Sequence, residues 1–216
     1  MRLSRHEWVL LAVNAAYLSI FATLAWRHGN DEFLFYGAVI VALGGLLVWR
    51  QPRVKFEPAV LWGLTLWGLA HMAGGSLRVK GDVLYSLILV DLVPSLGLLR
   101  YDQMVHIFGF GVAALMCFHL LKPHLRADAG RSAGLLFLVI LMGSGLGAIN
   151  EILEFIAVLL IPQTNVGGYT NTAMDLCCNL IGGTLAALIF VRPGGRIACP
   201  EYGRECESST AHPADK

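Results

Sequence analysis

Six runs of apolar residues, each close to or above the length needed to cross a bilayer, dominate this sequence of 216 residues. The runs cover residues 8–26, 33–49, 57–75, 102–121, 133–161 and 171–191. A helix needs about 20 residues to cross the hydrocarbon core, and it satisfies its own backbone hydrogen bonds there. The chain is 56% hydrophobic and only 14% charged, which is not the profile of a soluble domain. The sequence therefore predicts an all-α, polytopic membrane protein, a bundle of about six transmembrane helices.

The division of the chain into domains follows the same pattern. Residues 1–192 are predicted to form a single transmembrane helical domain. Residues 193–216 are rich in Pro, Gly, Ser and charged side chains, which predicts a polar, disordered tail on the cytoplasmic side. The net charge of +1 provides no basic surface for a nucleic acid, so no nucleic-acid partner is expected.

Residues 83–99 form a further apolar segment, and its placement decides the topology. The segment is short and contains Asp91, Pro94 and Gly97, which favours a re-entrant or interfacial segment at the outer surface. A seventh span is the alternative. With six spans and both termini in the cytoplasm, only four of the sixteen Lys and Arg residues lie outside, as the positive-inside rule requires. A seventh span would place the basic loop of residues 122–131 outside and abolish this bias.

Polar residues are few within the predicted spans, and they share one depth. They are His71 in the third span, Asp102 and His106 in the fourth, Asn150, Glu151 and Glu154 in the fifth, and Asp175 and Asn179 in the sixth. The third and fifth spans run outward and carry these residues late, whereas the fourth and sixth run inward and carry them early. All four helices therefore bring their polar groups to the outer half of the membrane. Because ionisable groups are costly in lipid, this coincidence predicts a shared functional site.

The spacing of the polar residues within each helix supports a shared site. Asp102 and His106 are four residues apart, as are Asp175 and Asn179, so each pair lies on one helix face. The pattern Asp-x3-His-x2-Gly that opens the fourth span is echoed by Asp-x3-Asn-x2-Gly in the sixth. The fifth span contributes the motif NEILEF over residues 150–155, with two carboxylates three residues apart.

Histidine and carboxylate side chains on facing helices are a suitable ligand set for a divalent metal such as zinc, manganese or iron. We therefore predict such a cofactor, with His71, Asp102, His106, Glu151 and Asp175 as its ligands. Asn150 and Asn179 are predicted to support these ligands, and Glu151 and Glu154 to be catalytic. In the absence of a metal, the acids would share protons or pair with Arg78, Lys80 or Arg100 of the outer segment.

Several of these motifs occur in the order found in a known family. YDQMVHIFGFG, NEILEF and MDLCCNLIGG, preceded by HMAGG and GDVLY, resemble the YjdF-like family of bacterial inner-membrane proteins over residues 70–187. The chain is similar, more distantly, to VanZ-like proteins, which share Asp-x3-His, a later Glu and Asp-x3-Asn-x2-Gly. The resemblance implies a bacterial inner-membrane location and a polar set made of His71, Asp102, His106, Glu151, Glu154, Asp175 and Asn179. VanZ-like members are associated with teicoplanin resistance, but the resemblance implies no established reaction.

Two classes of function are compatible with these features. The first is a metal-dependent hydrolase or transferase that acts on a membrane lipid or a lipid-linked cell-envelope substrate. The second is a small proton-coupled transporter, or a lipid- or envelope-binding membrane protein without catalysis. A transporter must expose its site to both sides of the membrane, often through broken helices. The polar residues collect on one side only, which favours the enzyme.

Overall fold

The computed structural model describes residues 3–90, 99–125 and 132–191, and these ranges contain six long helices. The helices are α1 Arg5–His28, α2 Asp31–Val54, α3 Pro58–Ser76, α4 Tyr101–Leu121, α5 Ala133–Leu160 and α6 Tyr169–Phe190. All of them except α3 are long and apolar enough to cross a membrane. The prediction of an all-α polytopic membrane protein is therefore confirmed.

Local capping interactions explain where several of these helices begin and end. Ser4 precedes α1, and its hydroxyl accepts a hydrogen bond from the Glu7 amide while the Glu7 carboxylate accepts one from the Ser4 amide. The helix ends at Gly29, which adopts the left-handed conformation with φ of 62°. Ser132 caps the start of α5 in the same way, and that helix ends two residues before Pro162. These caps lie at the borders of the apolar runs, so the helices match the predicted spans closely.

The third helix is the only one of the six long helices in the described residues that is not a candidate membrane span by length and composition. Its 19 residues extend ~28 Å at 1.5 Å per residue, close to the ~30 Å hydrocarbon core. His71, Thr65 and several glycines lower its hydropathy. It packs against α1, α2 and α4, and Thr65 is buried.

Glycines allow the helices that carry the predicted site to approach closely. α4, α5 and α6 all pack against one another. A Cβ atom at Gly182 of α6 would overlap the backbone of Ile107 in α4. A Cβ atom at Gly147 of α5 would lie 2.6 Å from the side-chain nitrogen of Asn179. Gly147 and Gly182 therefore allow close contacts between these helices.

The segment between α3 and α4 is not a spanning helix in its described part. β1 Arg78–Val79 and β2 Asp82–Val83 form a hairpin whose two turn residues have positive φ. A short 3-10 helix, Leu84–Ser86, follows, and the backbone at residue 88 pairs with that at residue 100. This fold favours a re-entrant or interfacial segment over a seventh span. Asp91, Pro94 and Gly97 lie outside the described residues, as does the predicted tail of residues 193–216.

Candidate functional site

His106 of α4 lies at the centre of a buried polar cluster, with a relative exposure of 5%. Its Nδ1 atom is 2.9 Å from Oδ1 of Asn179 on α6 and 3.7 Å from Oε1 of Glu151 on α5. Its Nε2 atom is 3.6 Å from Oδ1 of Asp102, one turn earlier on α4. Three of the four helices that were predicted to share a polar site, α4, α5 and α6, therefore meet at His106.

Four carboxylates surround His106 in two overlapping groups, which we call the metal-ligand cluster. One group is Asp102, His106 and Asp175, and the other is His106, Glu151 and Glu154. In each group the three candidate ligand atoms lie within 4.8 Å of one another. Metal–oxygen and metal–nitrogen bonds of ~2.0–2.2 Å place the ligands of one ion up to about 4.4 Å apart. Each group is therefore close to the spacing that one divalent cation requires.

Several acceptor atoms of this cluster are buried without a hydrogen-bond partner. They are both carboxylate oxygens of Glu151 and Oδ1 of Asp175, whose residues are 8% and 1% exposed. A buried polar atom that lacks a partner costs about 1–3 kcal/mol, so such atoms call for an explanation. Carboxylate oxygens are the atoms that a divalent cation binds. The residues present therefore fit a metal ion.

Two asparagines donate hydrogen bonds to two further oxygens of the cluster. The side-chain amide of Asn171 donates to Oδ2 of Asp175 at 2.6 Å, and that of Asn150 donates to Oε1 of Glu154 at 2.8 Å. Each bond lies within one helix, between residues four apart. Because one oxygen of each carboxylate is held, the orientation of the other oxygen is restricted. Asn150 thus contacts the cluster through Glu154, and its supporting role stays a prediction, whereas Asn171 was not among the predicted residues.

His71 lies apart from the metal-ligand cluster. Its Nδ1 atom is 2.6 Å from the hydroxyl oxygen of Tyr85, and that hydroxyl lies 2.9 Å from the backbone carbonyl of His71. Burial raises the pKa of Tyr85 well above its usual range, so the hydroxyl stays protonated and remains a donor. His71 belongs to neither group of closely spaced ligands in the described residues. Its role as a metal ligand stays a prediction.

A polar cavity of about 130 Å³ adjoins the cluster. Its lining consists of Glu32, Tyr36, His71, Val83, Tyr85, Ser86, Arg100, Asp102, Glu154, Asn165, Val166, Gly167 and Asn171. Asp102 and Glu154 belong to both the lining and the cluster. Glu151, His106 and Asp175 are not part of the lining. The cavity therefore gives a ligand access to two of the four carboxylates.

Glu32 is the acidic residue of the cavity that the sequence analysis missed. It lies in the first turn of α2 and is only 3% exposed. One of its oxygens accepts hydrogen bonds from the backbone amide of Asn165 at 2.7 Å and from its side-chain amide at 2.9 Å. The only signal in the sequence is its position immediately before the second apolar run, where a charged residue is equally expected in a loop.

Comparison with known proteins identifies the family but no characterised relative. No curated protein and no solved structure matches the chain significantly. A family model described as "Predicted membrane protein (DUF2238)" matches residues 8–195, and YjdF-like is a plausible name for that family. The match does not support the more distant resemblance to VanZ-like proteins. Because the match covers most of its length, the chain belongs to the DUF2238 family of membrane proteins.

Proposed function

We propose that this protein is a metal-dependent hydrolase or transferase that acts on a membrane lipid or a lipid-linked cell-envelope substrate. One observation carries the proposal. A buried histidine, His106, is surrounded by four carboxylates from three helices. Two of the acidic residues, Glu151 and Asp175, carry buried oxygens without a hydrogen-bond partner. Clusters of this composition suit zinc, manganese or iron. The cavity beside the cluster supplies a place for a substrate group.

The roles of the individual residues follow from their positions. His106, Asp102, Asp175 and Glu151 would hold the metal, which, when bound, polarises a substrate oxygen or activates water. Glu154 lines the cavity and has one oxygen held by Asn150, so it can hold or move a proton at the cavity surface. Arg100, also in the lining, adds positive charge for an anionic substrate group.

The surroundings of the cavity support a lipid-derived substrate. The cavity lies where α3 ends and α4 begins, beside residues 83–86 of the connecting segment. The helices around it expose many large apolar side chains, as expected for lipid contact. A head group can therefore enter the cavity while its acyl or prenyl chain stays in the bilayer.

A proton-coupled transporter is the second candidate, because Glu151 and Asp175, which carry buried oxygens without a hydrogen-bond partner, could also load protons. The cavity and the cluster lie at one end of the helices. A transporter needs a path to the other end. Metal content separates the two candidates, since the transporter needs no metal.

Elemental analysis of the purified protein tests the metal site. We expect wild type to carry about one equivalent of zinc, manganese or iron. The metal affinity of His106→Ala should be about 10- to 100-fold lower, because the central ligand is gone. His119→Ala is the matched control. His119 lies on the same helix and also faces a carboxylate, Oε1 of Glu57 at 3.5 Å, but it is remote from the cluster. A metal-free wild type after growth with all three metals, or equal losses in both variants, would contradict the site.

We further propose a bacterial inner-membrane location with both termini cytoplasmic and the cavity facing outward. In a background without the five native cysteines, Lys80→Cys should react with an impermeant thiol reagent in intact cells. His124→Cys should react only after the membrane is permeabilised. Both positions are exposed, so access to the reagent depends on the side of the membrane alone. The opposite labelling pattern would invert the topology and place the cavity on the cytoplasmic side.

A further inference from the structure

Part of the cavity lining comes from outside the helices that carry the metal-ligand cluster. Glu32 and Tyr36 belong to α2, His71 to α3 and Tyr85 to the connecting segment. The ring centroids of Tyr36 and His71 are 5.2 Å apart, and those of His71 and Tyr85 are 5.8 Å apart. An acid and three contacting rings therefore line one continuous part of the cavity. None of these four residues belongs to the metal-ligand cluster.

The carboxylate of Glu32 lacks a cationic partner. In residues 3–90, 99–125 and 132–191, no Lys, Arg or His lies within ion-pair distance of it. Both hydrogen bonds that it accepts, from Asn165, end on the same oxygen, Oε2. A buried carboxylate without a counter-ion is costly, and removing it from water is compensated best by a close positive charge. Glu32 therefore has both the charge and a second oxygen with which to bind a cationic group.

Tyr36 provides independent evidence that this part of the cavity accommodates a ligand. The residue is 7% exposed and lines the cavity, and its hydroxyl oxygen is buried without a hydrogen-bond partner. Buried hydroxyl groups are normally paired, so this oxygen calls for a hydrogen-bond partner that the described residues do not supply. Aromatic rings also attract cations, and ligand ammonium groups are commonly bound between rings and a carboxylate.

From this arrangement we propose that the cavity binds an ammonium group, with Glu32 as its counter-ion and the rings of Tyr36 and Tyr85 beside it. The ligand is the head group of an amine-bearing phospholipid. Its phosphate would lie toward Arg100, which lines the same cavity. The inference rests on the proposed function only for the reaction at that phosphate. The binding of the ammonium group rests on Glu32 and Tyr36. It narrows the substrate class from lipids in general to aminophospholipids.

Binding of two phospholipids that differ in the head group tests this inference. Purified protein is titrated with short-chain phosphatidylethanolamine and with phosphatidylglycerol, and binding is followed by native mass spectrometry. We expect wild type to prefer phosphatidylethanolamine, and Glu32→Gln to lose about tenfold or more of that preference, because the buried counter-ion is gone. Asp31→Asn is the matched control, since Asp31 precedes Glu32 and is exposed. Tyr36→Phe, which removes only the hydroxyl, should weaken the preference without altering the fold.

The outcomes separate this inference from the proposed function. Equal affinity of wild type for the two lipids, or an unchanged preference in Glu32→Gln, would overturn it. Soluble phosphoethanolamine is titrated in parallel, and Glu32-dependent binding of this compound without lipid binding would assign the ammonium group to a soluble ligand. Metal content is measured on the same samples and should be equal in wild type and Glu32→Gln. A metal-free wild type that still prefers phosphatidylethanolamine through Glu32 would overturn the proposed enzyme and retain the ammonium site.

Discussion

Replacing Glu154 by Gln is expected to abolish turnover while leaving the metal in place. Glu154 lines the cavity, whereas Glu151 of the same helix lies outside the lining. Gln keeps the size of the side chain and can still accept the hydrogen bond from Asn150, but it cannot take up a proton. Loss of a general acid or base lowers the rate by roughly 10²–10⁴-fold. Glu151→Gln should lower both turnover and metal content, because Glu151 is a proposed ligand.

The assay uses protein in nanodiscs that contain phosphatidylethanolamine, phosphatidylglycerol and polyprenyl phosphates, with products identified by mass spectrometry. Phe155→Leu is the control, since Phe155 follows Glu154 on α5 and is 59% exposed toward lipid. It should keep both activity and metal. Wild-type turnover in Glu154→Gln would remove this residue from the mechanism. If wild type turned over none of these lipids, the enzyme hypothesis would yield to the transporter.

The spans could be predicted because apolar run length and local capping are both properties of nearby sequence. The fifth run was predicted over residues 133–161, and α5 covers Ala133–Leu160. Ser132 and Pro162 mark its two borders in the sequence itself. The common depth of the site residues was also predictable, since it follows from the position of each residue along its span and from the direction of the span.

The pairing of side chains across helices could not be predicted in this way. The hydrogen bond between His106 and Asn179 depends on how α4 and α6 are rotated about their axes. That rotation depends on close contacts at positions such as Gly182 and Gly147, where any side chain would collide with the neighbouring helix. The number of glycines indicates that such contacts exist, but it does not identify which side chains of the facing helices they bring together.

His71 and Glu32 show where reasoning from depth is insufficient. His71 lines the same cavity as Asp102, but its Nδ1 atom contacts the hydroxyl of Tyr85 from the connecting segment, and the sequence did not predict that contact. Glu32 accepts two hydrogen bonds from Asn165, which lies in the connection between α5 and α6. Both residues depend on connections between helices, for which apolar periodicity carries no information.

The metal-free protein is expected to become more stable when Glu151 is replaced by Gln. Neither carboxylate oxygen of Glu151 has a hydrogen-bond partner, and the residue is 8% exposed, so removing its charge relieves a desolvation cost. We expect a gain of about 1–3 kcal/mol in the free energy of unfolding after chelation. Thermal unfolding in detergent, followed by tryptophan fluorescence, would show this gain as an increase in Tm of roughly 2–4 °C per kcal/mol for a chain of this size.

Adding metal should make wild type more stable than Glu151→Gln, the reverse of the order expected without metal. At a free metal concentration of about 100 times the dissociation constant, a ligand that binds only the folded state adds roughly 2.7 kcal/mol to wild type. The metal should stabilise Glu151→Gln much less, because this variant lacks one of the side chains proposed to bind it.

Glu57→Gln is the matched control for this reversal. Lys122 donates a 2.7 Å hydrogen bond to Glu57 and holds its pKa below the usual range, and the side chain is 53% exposed. Its loss should cost about 1 kcal/mol or less, with or without metal. If Glu151→Gln were less stable than wild type in the chelated state and equally stabilised by metal, Glu151 would be a structural residue. A reversal confined to Glu151→Gln would instead show that the membrane-embedded acid is retained for the cation that it binds.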